Sequence, residues 1–174
     1  ETIEEALRAG VEMPPRIERA KRDGNLMPLS FAQQRLWFLD KLEQDSCFYN
    51  LTSTVRICGA TLNVSALEKS LREVTQRHEI LRTTFIMIER QPLQVISPES
   101  HFSLPLCDLS QLLPAQREAE ARRLAYDEAL RPFDLSTGPL VRARLLRLAK
   151  LPAEEHILLL SMHHIVSDGW SMGV

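Results

Sequence analysis

The sequence predicts an α/β or α+β sandwich, in which helices cover a mixed β-sheet. Some segments carry apolar residues at the spacing of amphipathic helices, and others show the alternating or continuous apolar pattern of strands. The chain has 174 residues, 44% of them hydrophobic and 25% charged, which is an ordinary globular balance. A chain of this length can bury one core of good size, so we expect one folded domain.

Helices are expected at residues 31–42, 64–78 and 114–130, and each begins with residues that favour the start of a helix. Ser30 precedes the first helix and is expected to cap it, because its hydroxyl can accept a free backbone N–H. Ser65 and Glu68 have the spacing of a capping box at the start of the second helix. Pro114 suits the first turn of the third helix, where its missing N–H costs nothing.

The expected strands cover residues 51–58, 83–88, 93–97, 104–106, 140–148 and 156–162. Residues 83–97 turn at 89–92 and are predicted to form a hairpin. Pro105 indicates that 104–106 lies at a sheet edge, since proline cannot donate to a ladder. The run 156–162 is apolar and bounded by charge, which predicts a buried central strand.

Composition excludes several classes of function. The net charge is −2, so no basic excess exists to neutralise phosphates, and we expect no nucleic-acid partner. The longest apolar run, Ile157–Leu160, is too short to span a membrane. Three scattered cysteines without a secretion signal indicate reduced thiols and a cytoplasmic location. Residues 1–24 are charged, are interrupted by Pro14-Pro15 and lack a starting Met, so we expect a linker cut from a longer protein.

The segment after the predicted central strand carries the chemistry. His163 and His164 end the strand, and Asp168 and Gly169 follow closely. An imidazole can take a proton near neutral pH. An aspartate can fix the tautomer of a nearby histidine, or it can hold a loop in place by pairing with a cation. A glycine has no side chain, so a backbone segment or a substrate can approach it closely. Adjacent histidines point in different directions, so at most one faces a shared site. We expect no metal, because the His-Glu-x-x-His helix of zinc hydrolases is absent and no cysteine lies nearby.

Four segments carry distinctive runs of residues: Ser30–Leu39 (SFAQQRLWFL), Arg77–Phe85 (RHEILRTTF), Pro132–Leu140 (PFDLSTGPL) and Met162–Ser171 (MHHIVSDGWS). In this order they resemble the motifs of the condensation domains of nonribosomal peptide synthetases. The last segment resembles the motif that holds the family's active site. The match extends over most of the chain, and agreement among four segments is far more specific than any one of them.

The resemblance implies a fold like that of chloramphenicol acetyltransferase, in which two α/β sandwich lobes enclose a tunnel. It implies that residues 1–24 are a linker from a carrier protein and that 25–174 form the N-terminal lobe, truncated after the active-site motif. The C-terminal lobe would then be absent, and the isolated fragment is expected to be inactive. The last motif resembles that of condensation rather than epimerisation or heterocyclisation domains, and an elongation module with an L-residue donor is the expected subtype.

The resemblance also implies acyl transfer that forms a peptide bond. Upstream and downstream peptidyl carrier proteins present the substrates on 4'-phosphopantetheine, no cofactor binds the domain directly, and an adenylation domain is adjacent. His164 matches the catalytic histidine and His163 a residue that shapes the loop. Asp168 is expected to hold the loop through Arg77 or Arg82.

The resemblance also gives expectations for further residues of the motifs. Gly169 is expected to leave room for the thioester arm. Trp37, Phe38 and Phe85 are expected in the core rather than against substrate.

Two alternatives of other classes remain open at this point. One is a coenzyme A-dependent His-x-x-x-Asp acyltransferase, which shares the fold and the site but lacks carrier partners. The other is a non-catalytic lobe that only docks a carrier protein.

Overall fold

The computed structural model describes residue 24 and residues 26–43, 45–59, 61–150 and 153–171. The predicted linker at 1–24 therefore lies outside the described residues, apart from Gly24. No helix within the described ranges has the length and apolar character that a membrane crossing requires.

The described chain contains strands, helices and one 3-10 turn. In order they are β1 (Leu26–Pro28), α1 (Phe31–Leu42), β2 (Asn50–Cys58), α2 (Val64–Arg77), a 3-10 turn (Glu79–Arg82), β3 (Thr83–Ile88), β4 (Gln91–Ile96), β5 (Leu106–Asp108), α3 (Pro114–Leu130), β6 (Val141–Ala149) and β7 (Glu155–His163). The helices expected from the sequence all form with nearly the expected bounds, and so does the hairpin, as β3 and β4.

The strands make two sheets. The four-stranded sheet has the order β2-β7-β6-β5, and the three-stranded sheet has the order β1-β4-β3. Strand β7 is antiparallel to both of its neighbours, β2 and β6, so the predicted central strand is confirmed. Strand β5 pairs in parallel with β6 at the edge. It begins after the expected position because Leu104 is buried in the core and Pro105 offers only its carbonyl, which accepts from Leu145 N–H.

The four-stranded sheet separates two apolar layers. Alternate side chains of β6 point to opposite faces, as the two-residue period of a strand requires. Ala143 and Leu145 join a cluster that includes Leu71 of α2. Leu146 and Leu148 join a second cluster with residues of α3. Helices therefore cover both faces of this sheet, which confirms the sandwich.

Two local expectations are corrected by the structure. The N-cap of α2 is Asn63, whose Oδ1 accepts from Ala66 N–H at 2.9 Å. Ser65 lies inside the first turn, and Glu68 accepts from the backbone of Leu104 instead of closing a capping box. An asparagine one position before the first helical residue caps as well as a serine, so the motif matched at the wrong residue. Ser30 does cap α1, in a capping box with Gln33.

The assignment of aromatic residues to the core is right for Phe85, which is fully buried, and Trp37 is partly buried. It is wrong for Phe38, which is 56% exposed. Phe31 on the same helix is 90% exposed. Helical spacing identifies an apolar face, but burial needs a partner, and no described element covers this face of α1.

Candidate active site

A tight turn at the end of β7 presents the two histidines. The backbone N–H of His163 donates to Leu140 O at 3.1 Å, and that of His164 donates to Tyr49 O at 2.8 Å. The turn closes through a bond from Val166 N–H to His163 O at 3.0 Å. Ile165 and Val166 are each 4% exposed and anchor the turn in the core. With two side chains drawn inward, the turn leaves His164 at the surface.

The His163 ring is enclosed. Its side chain is 2% exposed, and Nδ1 accepts from Ile165 N–H at 3.1 Å. The rings of Tyr49 and Phe133 lie 6.2 and 6.1 Å away between centroids. Burial, with a smaller contribution from His164, lowers the pKa of His163 to about 4. The ring is therefore neutral near pH 7, with its proton on Nε2, and its contacts suit a residue that shapes the turn.

The His164 ring is held at one nitrogen and open at the other. Its Nδ1 lies 2.7 Å from Ser167 O. A carbonyl oxygen only accepts, so Nδ1 carries the hydrogen and donates it. In the neutral ring the lone pair is therefore on Nε2, and Nε2 makes no hydrogen bond to a described residue. A fixed tautomer with an exposed basic nitrogen is the arrangement that a general base or an acceptor for a substrate N–H requires.

Asp168 bonds within its own turn. Its Oδ1 accepts from Ser171 N–H at 2.8 Å and from Ser171 Oγ at 2.6 Å. These hydrogen bonds lower the pKa of the Asp168 carboxyl. Asp168 thus closes the turn at 168–171 through its side chain, as aspartates commonly do in turns. The tautomer of His164 is fixed by Ser167 and not by this carboxylate.

The expected ion pair between Asp168 and Arg77 or Arg82 is not formed in the structure. Arg82 donates from Nε to Gln76 O at 3.1 Å and from Nη1 to Ser97 O, and it pairs with Glu79 at 3.7 Å. Arg77 is exposed and makes no ion pair with a described residue. Instead, Ser171 engages Oδ1 of Asp168, and nearby backbone carbonyls engage the guanidinium of Arg82.

An open groove begins at this turn. It has a volume of about 430 Å³ and is bordered at the turn by Ser167 and Trp170. Its apolar walls come from α2 and β7 and include Leu71, Leu160 and Met162. Trp170 is 87% exposed at its mouth. A Cβ built at Gly169 would meet nothing within 4 Å, so the backbone there faces open space.

A group of residues that sequence reasoning did not single out packs behind His163. The Arg142 guanidinium pairs through Nε with Glu128 at 2.7 Å, and these side chains are 13% and 7% exposed. It also donates to Pro132 O at 2.9 Å and to Arg131 O at 2.7 Å, and it stacks 3.6 Å from the ring centroid of Phe133. Residues 128, 131–133 and 142 are called the α3 clamp below.

Asn50 adds to the same end of α3. Its Nδ2 donates to Ala129 O at 2.8 Å and to Arg131 O at 3.0 Å. Asn50 is also the β2 partner of His163 in the sheet. Nothing in the sequence distinguishes Arg142 from Arg144 two residues later, since both fit a half-exposed strand. Only the Pro132–Phe133 segment, already quoted as part of a motif, could have drawn attention to this region.

Within the described part of the chain, no group of three or more His, Cys, Asp or Glu side chains is arranged to hold a metal ion. The Nδ1 atoms of His163 and His164 are both engaged by backbone groups.

Comparison with known proteins identifies similar chains. The family model described as Condensation domain matches residues 24–174. The chain is 49% identical over 158 residues to a linear gramicidin synthase of Brevibacillus parabrevis, covering 91% of this chain and 2% of that protein. It is 43% identical over 160 residues to phosphinothricin tripeptide synthetase PhsC of Streptomyces viridochromogenes, covering 92% of this chain and 14% of that protein.

Solved structures agree with the observed fold. The starter condensation domain of rhizomide synthetase RzmA superposes with a TM-score of 0.74 at 30% identity, covering 83% of this chain and 35% of that chain. The four-domain nonribosomal peptide synthetase holo-AB3403 superposes with a TM-score of 0.73 at 17% identity, over 96% of this chain and 12% of that chain, which is a likeness of fold alone. The chain thus spans only a small part of the full synthetases and about a third of the starter domain.

Proposed function

Because the chain belongs to the condensation domain family of nonribosomal peptide synthetases, we propose that it carries the catalytic histidine of a domain that forms peptide bonds. The observation that carries the proposal is the geometry of His164. Its Nδ1 is fixed by Ser167 O at 2.7 Å, and its ring is exposed on the turn whose Ser167 borders an open groove. Such a ring can accept a proton only at Nε2.

The proposed reaction joins two acyl groups carried as thioesters. The α-amine of a downstream aminoacyl thioester attacks the carbonyl carbon of an upstream aminoacyl or peptidyl thioester, and a tetrahedral species forms. Nε2 of His164 takes a proton from the attacking nitrogen. The C–S bond then breaks, the amide remains, and the proton passes to the leaving thiolate to give a free thiol. An α-amine has a pKa of about 8, so part of it is already unprotonated and positioning contributes as much as proton transfer.

The other residues of the turn support this role without touching the reacting atoms. His163 stays neutral near pH 7 because burial lowers its pKa to about 4. Asp168 and Ser171 hold the following turn together. Gly169 faces open space and leaves room for a substrate arm.

The substrates and partners are part of the proposal. We expect the acyl groups to arrive on the 4'-phosphopantetheine of upstream and downstream peptidyl carrier proteins, with an adenylation domain nearby and no cofactor bound directly. We place the reaction in the cytoplasm. In the 174-residue chain the groove is open and His164 is exposed, so we expect this chain alone not to form peptide bonds at the rate of a complete domain with a second lobe.

The test is peptide formation by the complete domain between two loaded carrier proteins. We expect His164→Ala to lower kcat by about 10²–10⁴-fold, the range of general acid–base catalysis, with unchanged thermal stability. His101→Ala is the matched control, because His101 is an exposed histidine outside the turn. Product at the parent rate from His164→Ala would overturn the proposal. Equal turnover with a coenzyme A thioester as donor would favour the coenzyme A-dependent acyltransferase instead.

A further inference from the structure

The α3 clamp lies directly behind the turn that holds the histidines. We propose that Arg142 is a positioning residue for His164, acting through the ring of Phe133 on the ring of His163. The inference rests on the proposed function of His164. It concerns how the turn is held and adds no group that touches substrate.

The first step is the end of α3. The last carbonyls of a helix have no partner within the helix, and they must find donors elsewhere. Arg142 donates to Arg131 O at the C-cap of α3 and to Pro132 O just beyond it, while its Nε pairs with Glu128. A guanidinium fork can serve three acceptors in one plane, which an ammonium group cannot do. Arg142 therefore fixes the path of the chain as it leaves α3.

The second step is the ring that follows. The Arg142 guanidinium carbon lies 3.6 Å from the centroid of the Phe133 ring, so the cation covers one face of the ring. Phe133 then meets His163 edge to face, with an interplanar angle of 81° and centroids 6.1 Å apart. This is a preferred geometry for two aromatic rings. Phe133 is 7% exposed, so its ring has little freedom to move.

The third step is the turn itself. His163 is held between the rings of Phe133 and Tyr49, and its Nδ1 accepts from Ile165 N–H. That bond orients the peptide that follows His164. A shift of the His163 ring would therefore tilt the turn and move Nε2 of His164 relative to substrate. Displacements of about 1 Å in a catalytic group can cost a hundredfold in rate.

Arg144 provides the contrast that isolates the effect. It lies two residues along the same strand and on the same face of the sheet, yet its side chain makes no hydrogen bond or ion pair with any described residue. Arg142 and Arg144 thus have the same charge and lie on the same face of the same strand, and only Arg142 makes the contacts of the α3 clamp. Arg144→Lys is the matched control for Arg142→Lys, which keeps the charge but loses the fork.

A second pair of variants separates positioning from stability. Phe133→Leu keeps an apolar side chain but removes the flat ring between Arg142 and His163. Leu148→Val weakens the core at the far end of β6, away from the turn. In the complete domain with loaded carriers, we expect Arg142→Lys and Phe133→Leu to lower kcat about tenfold with unchanged KM for both carriers. Arg144→Lys and Leu148→Val should keep the parent kcat once corrected for the folded fraction.

The readout independent of activity is the side-chain ¹⁵N spectrum of histidine-labelled domain. The parent should show His163 with its proton on Nε2 and His164 with its proton on Nδ1. We expect Arg142→Lys and Phe133→Leu to give averaged ring-nitrogen shifts at one or both histidines, and the controls to keep the parent shifts. Parent shifts in both clamp variants, or a kcat loss no larger than that of Leu148→Val, would overturn the inference. If the parent domain makes no peptide, the proposed function fails, and the spectra alone decide whether the clamp orients the rings.

Discussion

Glu128 and Arg142 form an ion pair in a nearly closed environment, which gives a sharp prediction for stability. The pair has an Nε–Oε1 distance of 2.7 Å, and the side chains are 7% and 13% exposed. Burial lowers the pKa of Arg142, and the Glu128 carboxylate opposes that effect. Glu128→Gln keeps the size and one acceptor oxygen but removes the charge. The Arg142 cation would then remain buried without a counter-ion.

The expected loss is about 3 kcal/mol in the free energy of unfolding. Breaking a buried pair by removing one partner costs about 3–5 kcal/mol, because the other charge is stranded. The lower end applies here, since Arg142 keeps two carbonyl acceptors and the face of Phe133. In a domain of 150–250 residues 1 kcal/mol corresponds to about 2–4 °C in Tm, and the complete domain is more than twice as long as this chain, so the expected shift is roughly 3–6 °C.

Thermal and urea denaturation of the complete domain would measure the loss. The matched control is Asp127→Asn, at the preceding residue of α3. Asp127 pairs with Arg123, but these side chains are 53% and 55% exposed, so the cost should stay below about 1 kcal/mol. If Glu128→Gln and Asp127→Asn destabilise the domain equally, then burial does not decide the strength of this pair and the reasoning is wrong.

Two further predictions concern pH and helix capping. The pKa of His163 is about 4 in the folded state against 6.5 for an ordinary histidine, so the unfolded chain binds more protons between these values. The contribution of His163 to the free energy of unfolding is fully present above pH 6.5 and should fall by about 3 kcal/mol as the pH drops through 4. In His163→Asn the curve of Tm against pH should be flatter, and a slope equal to that of the parent would contradict the assignment. Asn63→Ala should cost about 1 kcal/mol by removing the cap of α2, measured by urea denaturation, whereas Ser65→Ala should cost less; the reverse order would restore Ser65 as the cap.

The spacing of apolar residues was enough to predict the helices and strands, because each of them depends on residues close together in the sequence. The apolar run that became β7 is buried on both faces, and the strand formed where the pattern indicated it. The caps show the limit of such reasoning. Asn63 and Ser65 are both good capping residues, and only the backbone path decides between them. Phe38 shows a second limit, since its exposure depends on what covers α1.

The site was predicted as a segment but not as a set of contacts. His163 ends the central strand, and His164, Asp168 and Gly169 follow it closely, as expected. The ion pair expected for Asp168 is not formed, and the partner of its Oδ1 is Ser171, three residues away. The α3 clamp could not be predicted, because it joins side chains from β6 and α3 with carbonyls at a helix end. Such partners are set by the packing of distant elements and leave no spacing in the sequence.

The pairing of β2 with β7 bears on how the catalytic turn comes into being. Tyr49 and the strand after it belong to the first third of the chain, whereas His164 comes near its last described residues. Contacts so distant along the chain form late in folding, because a long loop must close first. The turn therefore cannot assemble as a local unit in a partly folded chain. The amide of His164 should exchange its hydrogen with water only in openings that separate β2 from β7. A substitution that weakens this pairing would reduce the number of active molecules while leaving the turnover of each unchanged.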